Sequence, residues 1–304
     1  YGITSIEDVA EPWAVPIYAR LEEEGVLTAR VSVWLPLDTA EEEAAALRAR
    51  HPDDAPFLAV ATRKVFLDGT LGARTAALHE DYEDAREERG VLRFDDGELV
   101  QSVRDADARG WAVAFHAIGD RAVRQALDVI SALESRNRPR PHRIEHAQLI
   151  APGDLPRFAR LGVTASLQPV HRETDLRWLE RRLGRRRAAR AYPLRSLIGS
   201  GANVALGSDW PVESADPIRG LAAAAGRTEG EAITVAEAID AYTRGSARAA
   251  GDRGERGTLR PGAPADLAVL SEDPTGVPVD ELTDRVRVVR TVVGGRTVYR
   301  EGEV

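Results

Sequence analysis

Short apolar runs alternate with amphipathic stretches along most of this chain. Runs rich in β-branched and aromatic residues fall at 3–5, 29–35, 57–67, 111–116, 142–146, 163–168 and 203–207. Most are followed by a loop and then by a segment of helical periodicity, clearest at 121–133, 154–161, 172–183, 218–225 and 235–250. Strand, loop and helix in repeating order predict βα units around a parallel sheet. The segment 69–96 is long, charged and glycine-containing, which predicts a loop or lid over the mouth of such a sheet. After Gly257 the helical pattern stops, and GTLRPGAPADLAVL and VRVVRTVVGGRTVYREGEV carry strand and turn signals only, with Gly294-Gly295 as a hairpin turn.

Seven βα-type strands are one fewer than an eight-stranded (β/α) barrel needs to close. The expectation is therefore an α/β chain built as a (β/α)8 TIM barrel whose first strand lies upstream of Tyr1. Residues 1–256 form the incomplete barrel, and 257–304 form a small β appendage.

Composition narrows the function classes. The chain has 304 residues, 43% hydrophobic and 30% charged, enough for a sizeable core. A net charge of -8 argues against a nucleic-acid surface, and no apolar run is long enough to span a membrane. With no cysteine, disulfides and thiolate metal sites are excluded. The chain has no methionine and starts at Tyr1, which reads as a processed or partial sequence.

A barrel of this kind carries its chemistry at the C-terminal ends of its strands. The third run holds Lys64, with Asp68 just beyond; the next ones end in His116, His146, Gln168 followed by His171, and Asp209. Lys64 is the sole lysine among 41 basic Lys and Arg residues. A buried lysine can lose its proton and act as nucleophile or base, or take up carbon dioxide as a carbamate; arginine cannot. Histidines on neighbouring strands with a later carboxylate suit a divalent ion, zinc first, with iron, manganese and cobalt also compatible. Strand alternation points Glu145 away from His146, toward the helix side. His51 and His79 read as surface residues.

The segments KVFLDGTLGARTAAL, FHAIGDRAV, RIEHAQLI, ASLQPVH, GSDWPVESADP, AYTRGSARAAG and GTLRPGAPADLAVL, in this order, resemble the amidohydrolase superfamily, in its family-3 branch of YtcJ-like metal-dependent hydrolases. The resemblance implies a metal-dependent hydrolase barrel with a side β-sandwich, to which 257–304 would contribute the C-terminal part. It implies one or two divalent metal ions held by Lys64 (as a carbamate), His116, His146 and Asp209. It implies hydrolysis of non-peptide, amide-type C–N bonds in a small-molecule substrate, with Asp209 as general base. His171 and Gln168 would hydrogen-bond the substrate carbonyl, and Asp68, Arg74 and Trp210 would shape its pocket. The family's His-x-His pair is absent from the six histidines of this chain, which places that pair upstream and makes the second metal position weak. Two alternatives stay open: a Schiff-base lyase or aldolase using Lys64, and a non-catalytic barrel fragment that binds small molecules. A cytoplasmic, homo-oligomeric protein is the accompanying expectation.

Overall fold

The computed structural model describes residues 1–133, 140–227, 230–252 and 254–303. The stretches 134–139, 228–229 and 253 within the expected barrel segment, and Val304 at the end of the appendage, lie outside the described residues. Seven strands, β1 (Ser5–Val9), β2 (Arg30–Pro36), β3 (Leu58–Phe66), β4 (Ala112–Ala117), β5 (Arg143–His146), β6 (Thr164–Leu167) and β7 (Asn203–Leu206), form one sheet in sequence order. Every ladder in it is parallel. Helices α1 (Val15–Glu23), α2 (Glu41–Arg50), α3 (Asp96–Ala108), α4 (Asp120–Ser131), α5 (Leu155–Leu161), α6 (Pro169–Ala188), α7 (Leu194–Gly199), α8 (Pro217–Ala225) and α9 (Val235–Asp240) lie between and after the strands.

The sheet curls. Arg143 on β5 forms an ion pair with Glu7 on β1 and stacks its guanidinium 4.5 Å from the Trp34 ring on β2. In a flat sheet β1 and β5 would stand roughly 19 Å apart, at about 4.8 Å per strand, beyond the reach of one side chain. The shape is that of a partial barrel. Among the described residues no ladder joins β1 to β7.

The two faces of this sheet differ sharply. Val65, Val113, Phe115, Ile144, Ala165, Leu167 and Val204 belong to the main hydrophobic cluster with residues of the helices. The concave face instead carries Lys64, His116, Arg143, Glu145, Thr164 and Ser166, all buried. Registers Lys64↔Ala114, His116↔Glu145 and Glu145↔Ser166 put these residues on one side.

Sequence and structure differ in four places. The first strand is Ser5–Val9 rather than 3–5. Its acidic residues disfavour a strand by propensity, but Glu7 meets Arg143 and Asp8 accepts from the Tyr18 hydroxyl at 2.8 Å. Helix α3 follows the loop at Asp96, capped by Asp95, whose carboxylate accepts from the Gly97 amide at 2.9 Å. The expected helix 235–250 is interrupted by a π-helical turn at Ala241–Gly245 and resumes as α10 (Ser246–Ala249). Gly245 passes so close to β7 that a Cβ there would lie 2.0 Å from the Val204 carbonyl oxygen, and the widened turn accommodates that approach. The C-terminal segment holds a three-stranded antiparallel sheet of β8 (Leu267–Leu270), β9 (Val288–Val293) and β10 (Arg296–Arg300). It also holds one short helix, α11 (Leu282–Arg285), which the turn-rich sequence concealed.

Gly294 and Gly295 form the β9–β10 turn with φ of 57° and 79°, the left-handed pair that a two-residue hairpin demands. The small sheet meets the larger one through Arg30, whose guanidinium pairs with Asp266 at 2.7 Å. Among the described residues no helix is long and apolar enough to cross a membrane.

Helix α9 opens with a reciprocal capping box: Thr234 Oγ1 accepts from the Glu237 amide, and the Glu237 carboxylate accepts from the Thr234 amide at 2.7 Å. Arg195 adds a two-pronged ion pair at 2.6 and 2.7 Å, and together they hold the Glu237 carboxyl down at about 2, from 4.5. A depressed acid stabilises the fold above its unfolded pKa and loses that stabilisation as pH falls through the folded one. Glu237→Ala is expected to lower Tm at pH 7 by roughly 2–4 °C, the worth of a cap of about 1 kcal/mol. The gap to wild type should close as pH drops from 4.5 toward about 2 in thermal melts followed by circular dichroism.

Candidate metal centre

Three of the strand-end residues converge. One donor atom each from His146, His171 and Asp209 lies within 4.8 Å of the others. His171 Nε2 stands 3.7 Å from Asp209 Oδ2. The His146 ring sits 5.8 Å from the His171 ring and 4.4 Å from the His116 ring, centroid to centroid.

The backbone is bent to make this possible. His146 has φ of 73° and Asp209 φ of 58°. Left-handed conformations cost a non-glycine residue energy and concentrate at functional sites. The bend at His146 also corrects the alternation argument for Glu145. Regular alternation would send residues 145 and 146 to opposite faces, but the strand ends at His146, and the left-handed turn brings its ring back to the concave side. Glu145 is therefore on the barrel interior, paired in register with His116, and not on the helix side. Its carboxylate is held by Arg143 Nε at 2.5 Å, while Arg143 also donates to Ser166 Oγ at 2.9 Å.

The electrostatics suit a cation better than a proton. Burial, with His116 and Lys64 close by, pushes the His146 imidazole well below its ordinary value. Burial and Lys64 push His116 down to about 3, and burial likewise lowers His171. All three rings are neutral near pH 7, with lone pairs to offer. Buried His146 Nδ1 and His171 Nε2 have no hydrogen-bond partner, an expensive arrangement unless something else occupies them. Asp209, partly exposed, is raised by burial and lowered by His171 and Lys64. Two imidazoles and a carboxylate are a donor set that fits zinc or a similar divalent ion.

Lys64 and His116 flank this trio. Burial brings the Lys64 amine down to about 8, with Glu145 and Asp209 opposing the shift. His116 Nε2 lies 3.2 Å from the Gly69 carbonyl oxygen. A carbonyl only accepts, so a neutral ring bonded there carries its hydrogen on Nε2 and leaves Nδ1 as the lone-pair atom. His171, expected near the substrate, joins the donor trio. The sequence signal for it is a lone histidine three residues past a strand-ending glutamine.

The remaining expected residues are placed differently from one another. Gln168 is buried, with its Nε2 3.4 Å from the Ser166 carbonyl oxygen and its Oε1 unpartnered. Trp210 is 70% exposed beside Asp209. Arg74, on the loop after β3, directs its guanidinium at Asp84 through two bonds of 3.0 Å. Asp68 is fully buried, and its carboxylate accepts from the amides of Ala77, Ile118 and Gly119 at 2.9, 3.0 and 2.9 Å. Burial nevertheless pushes its carboxyl up to about 6. Asp68 therefore ties the loop to the β4–α4 junction rather than lining an open pocket. Gly119 is obligatory there, since a Cβ would fall 2.0 Å from the Ala77 carbonyl oxygen.

The loop itself is packed against its neighbours. Leu71, Ala76, Leu78 and Tyr82 form a second apolar cluster with Ile118, Leu149, Leu179, Leu183, Ala191 and Tyr192. Arg182 of α6 pairs with Asp84 and donates to the Gly72 carbonyl oxygen at 3.1 Å.

Comparison with known proteins gives a consistent picture. The sequence pattern described as "Amidohydrolase family" matches residues 1–299. YtcJ of Bacillus subtilis (strain 168) is 36% identical over 257 residues, covering 81% of this chain and 48% of YtcJ. The N-substituted formamide deformylase of Arthrobacter pascens is 28% identical over 249 residues, covering 78% of this chain and 45% of that enzyme. The crystal structure of an uncharacterized metal-dependent hydrolase from Pyrococcus horikoshii superposes with a TM-score of 0.78 at 32% identity, covering 91% of this chain and 56% of that one. The chain thus spans about half the length of the curated relatives it matches.

The three amides on Asp68 give a direct stability test. Asp68→Ala leaves all three without an acceptor in a closed environment, at about 1–3 kcal/mol each. The expected loss is roughly 3 kcal/mol or more, read as a lower urea midpoint with an unchanged m-value. A loss under about 1 kcal/mol would mean that water or a neighbour replaces the carboxylate.

Proposed function

The chain belongs to the amidohydrolase family, and from that membership we propose that it carries the metal centre of a hydrolase acting on amide-type, non-peptide C–N bonds. The observation that carries this reading is the convergence of His146, His171 and Asp209, with two buried imidazole nitrogens left unpartnered. His146, His171 and Asp209 would hold the ion, with His116 and Lys64 beside it. Zinc is the first candidate, and iron, manganese and cobalt suit the same donors. When bound, such an ion supplies Lewis acidity and makes water acidic enough to attack near neutral pH.

The chain's own groups supply the rest. Asp209, raised by burial, takes a proton from the attacking water as the new C–O bond forms, and passes it to the departing nitrogen as the C–N bond breaks. The products are a carboxylic acid and an amine. Gln168, buried with one Nε2 hydrogen directed at the Ser166 carbonyl oxygen, has a second Nε2 hydrogen that is the candidate to donate to the substrate carbonyl. The neutral fraction of a lysine at about 8 is the form that reacts with carbon dioxide, which supports a carbamate on Lys64 that would help hold a second ion. The relative that deformylates N-substituted formamides makes formamides and other N-acyl compounds the first substrates to try. Residues 257–304 fit the C-terminal part of a side β-sandwich, with 1–256 as the catalytic barrel segment.

Burial and the lowered pKa of Lys64 also favour a second reading, a Schiff-base enzyme. Elemental mass spectrometry separates the two. The hydrolase reading expects about one divalent ion per chain, reduced roughly tenfold or more in occupancy at limiting metal by His171→Ala or Asp209→Asn. A metal-free wild type that borohydride couples to a carbonyl substrate through Lys64 would replace it with the Schiff-base reading.

A further inference from the structure

The first turns of α6 are tied down on two sides. His171 has Thr174 and Asp175 at i+3 and i+4, on its own helix face. Thr174 Oγ1 lies 2.7 Å from Glu213 Oε1 and 2.9 Å from the His171 carbonyl oxygen. Its single hydrogen goes to the carboxylate, the shorter and charge-assisted contact. Glu213 belongs to the loop after β7, four residues past Asp209. Thr174 thus joins the helix that carries His171 to the loop that carries Asp209.

The second tie is Tyr192. Its hydroxyl donates to the Asp175 carboxylate, and its amide donates to the Gln148 carbonyl oxygen at 2.6 Å. Gln148 follows directly on His146 and Ala147, whose φ values are 73° and 45°. Tyr192 is itself buried and left-handed, with φ of 55°. A bulky side chain in that region is an outlier, and such strain persists only where the surroundings over-determine it. Here they do, since Arg227 also donates to the Tyr192 carbonyl oxygen. Tyr192 thus joins the helix that carries His171 to the turn that carries His146. A further contact on the same helical turn, Glu173 with Arg219 of α8 at 3.3 Å, is partly exposed and bears on neither donor loop. Ion pairs of that kind contribute little.

We propose that Thr174 and Tyr192 are positioning residues of the metal centre. Thr174 sets His171 against Asp209 through Glu213, and Tyr192 sets it against His146 through Asp175. This deepens the hydrolase reading and rests on it for the presence of the ion. Groups that orient metal ligands from behind are worth about 10- to 100-fold in metal affinity.

The test pairs zinc affinity, by competition with a chromophoric chelator, with NMR of the metal-free chain carrying 13C-labelled histidine rings, one signal for each of its six histidines. Thr174→Val and Tyr192→Phe remove one hydroxyl each. Both are expected to weaken zinc by about 10- to 100-fold and to move the His171 ring signal, with the His146 signal moving as well in Tyr192→Phe. Thr174→Ser and Asp175→Asn keep the donor and an acceptor and should retain most of the affinity. Arg219→Gln, which breaks only the solvent-side contact, should leave it unchanged. The two deletions sit on different ties, so if one melts early the other still decides. Unmoved ring signals with wild-type zinc affinity in the deletions would overturn the proposal, as would an equal loss in Arg219→Gln or no rescue by Thr174→Ser and Asp175→Asn. A wild type that takes up no zinc would sink the metal reading. Moved ring signals in the metal-free deletions would then leave the positioning assignment standing, and unmoved ones would sink both.

Discussion

One buried carboxylate holds the architecture of the centre together. Asp68 follows β3, and its two oxygens gather amides from the loop at Ala77 and from the β4–α4 junction at Ile118 and Gly119. The same group stands 3.6 Å from His116 Nε2. With no solvent exposure, those amides have nothing else to bond. The end of β3, the end of β4 and the start of the loop are therefore fixed relative to each other by one side chain. Lys64, Phe66 and His116 inherit their positions from it.

Beneath the centre the barrel interior is charged rather than oily. Arg143 bonds Glu145, Glu7 and Ser166 and stacks on Trp34, so a single guanidinium spans β1, β2, β5 and β6. A buried cation without partners would be ruinous, whereas one with two carboxylates and a hydroxyl is satisfied. Its directional bonds also select one curvature of the sheet, because only a curled sheet brings Glu7 to Arg143. The helix-facing side supplies the apolar packing, which leaves the interior free for polar chemistry.

Much of this is legible in the residues. Strand and helix periods locate six of the seven parallel strands within a few residues, because buried parallel strands read as continuous β-branched runs. The strand-end rule by itself singles out His116, His146, His171 and Asp209. The failures have physical causes. Glu145 is sent to the wrong face because alternation assumes extended backbone, and His146 leaves it. Asp68 looks like a pocket residue because a carboxylate just past a strand end gives no sign that three amides will close on it. Helix α3 is hidden behind a loop whose glycines and charges mask where the helix begins. The π turn depends on the approach of Gly245 to β7, a contact between segments some 40 residues apart.

The left-handed backbone at His146 and Asp209 reaches beyond the present chemistry. A residue with positive φ is drawn from a short alphabet, glycine first, then asparagine, aspartate and histidine. Glutamate and other longer or branched side chains incur strain in that backbone before they offer a donor atom. Divergence or redesign of this cluster is therefore channelled: the side chain at 146 can drift among histidine, asparagine and aspartate at modest cost in backbone strain, and the one at 209 likewise. Chemical variation of this cluster would then be sought at His171, which sits in a helical turn whose backbone accepts any donor side chain the chain can encode.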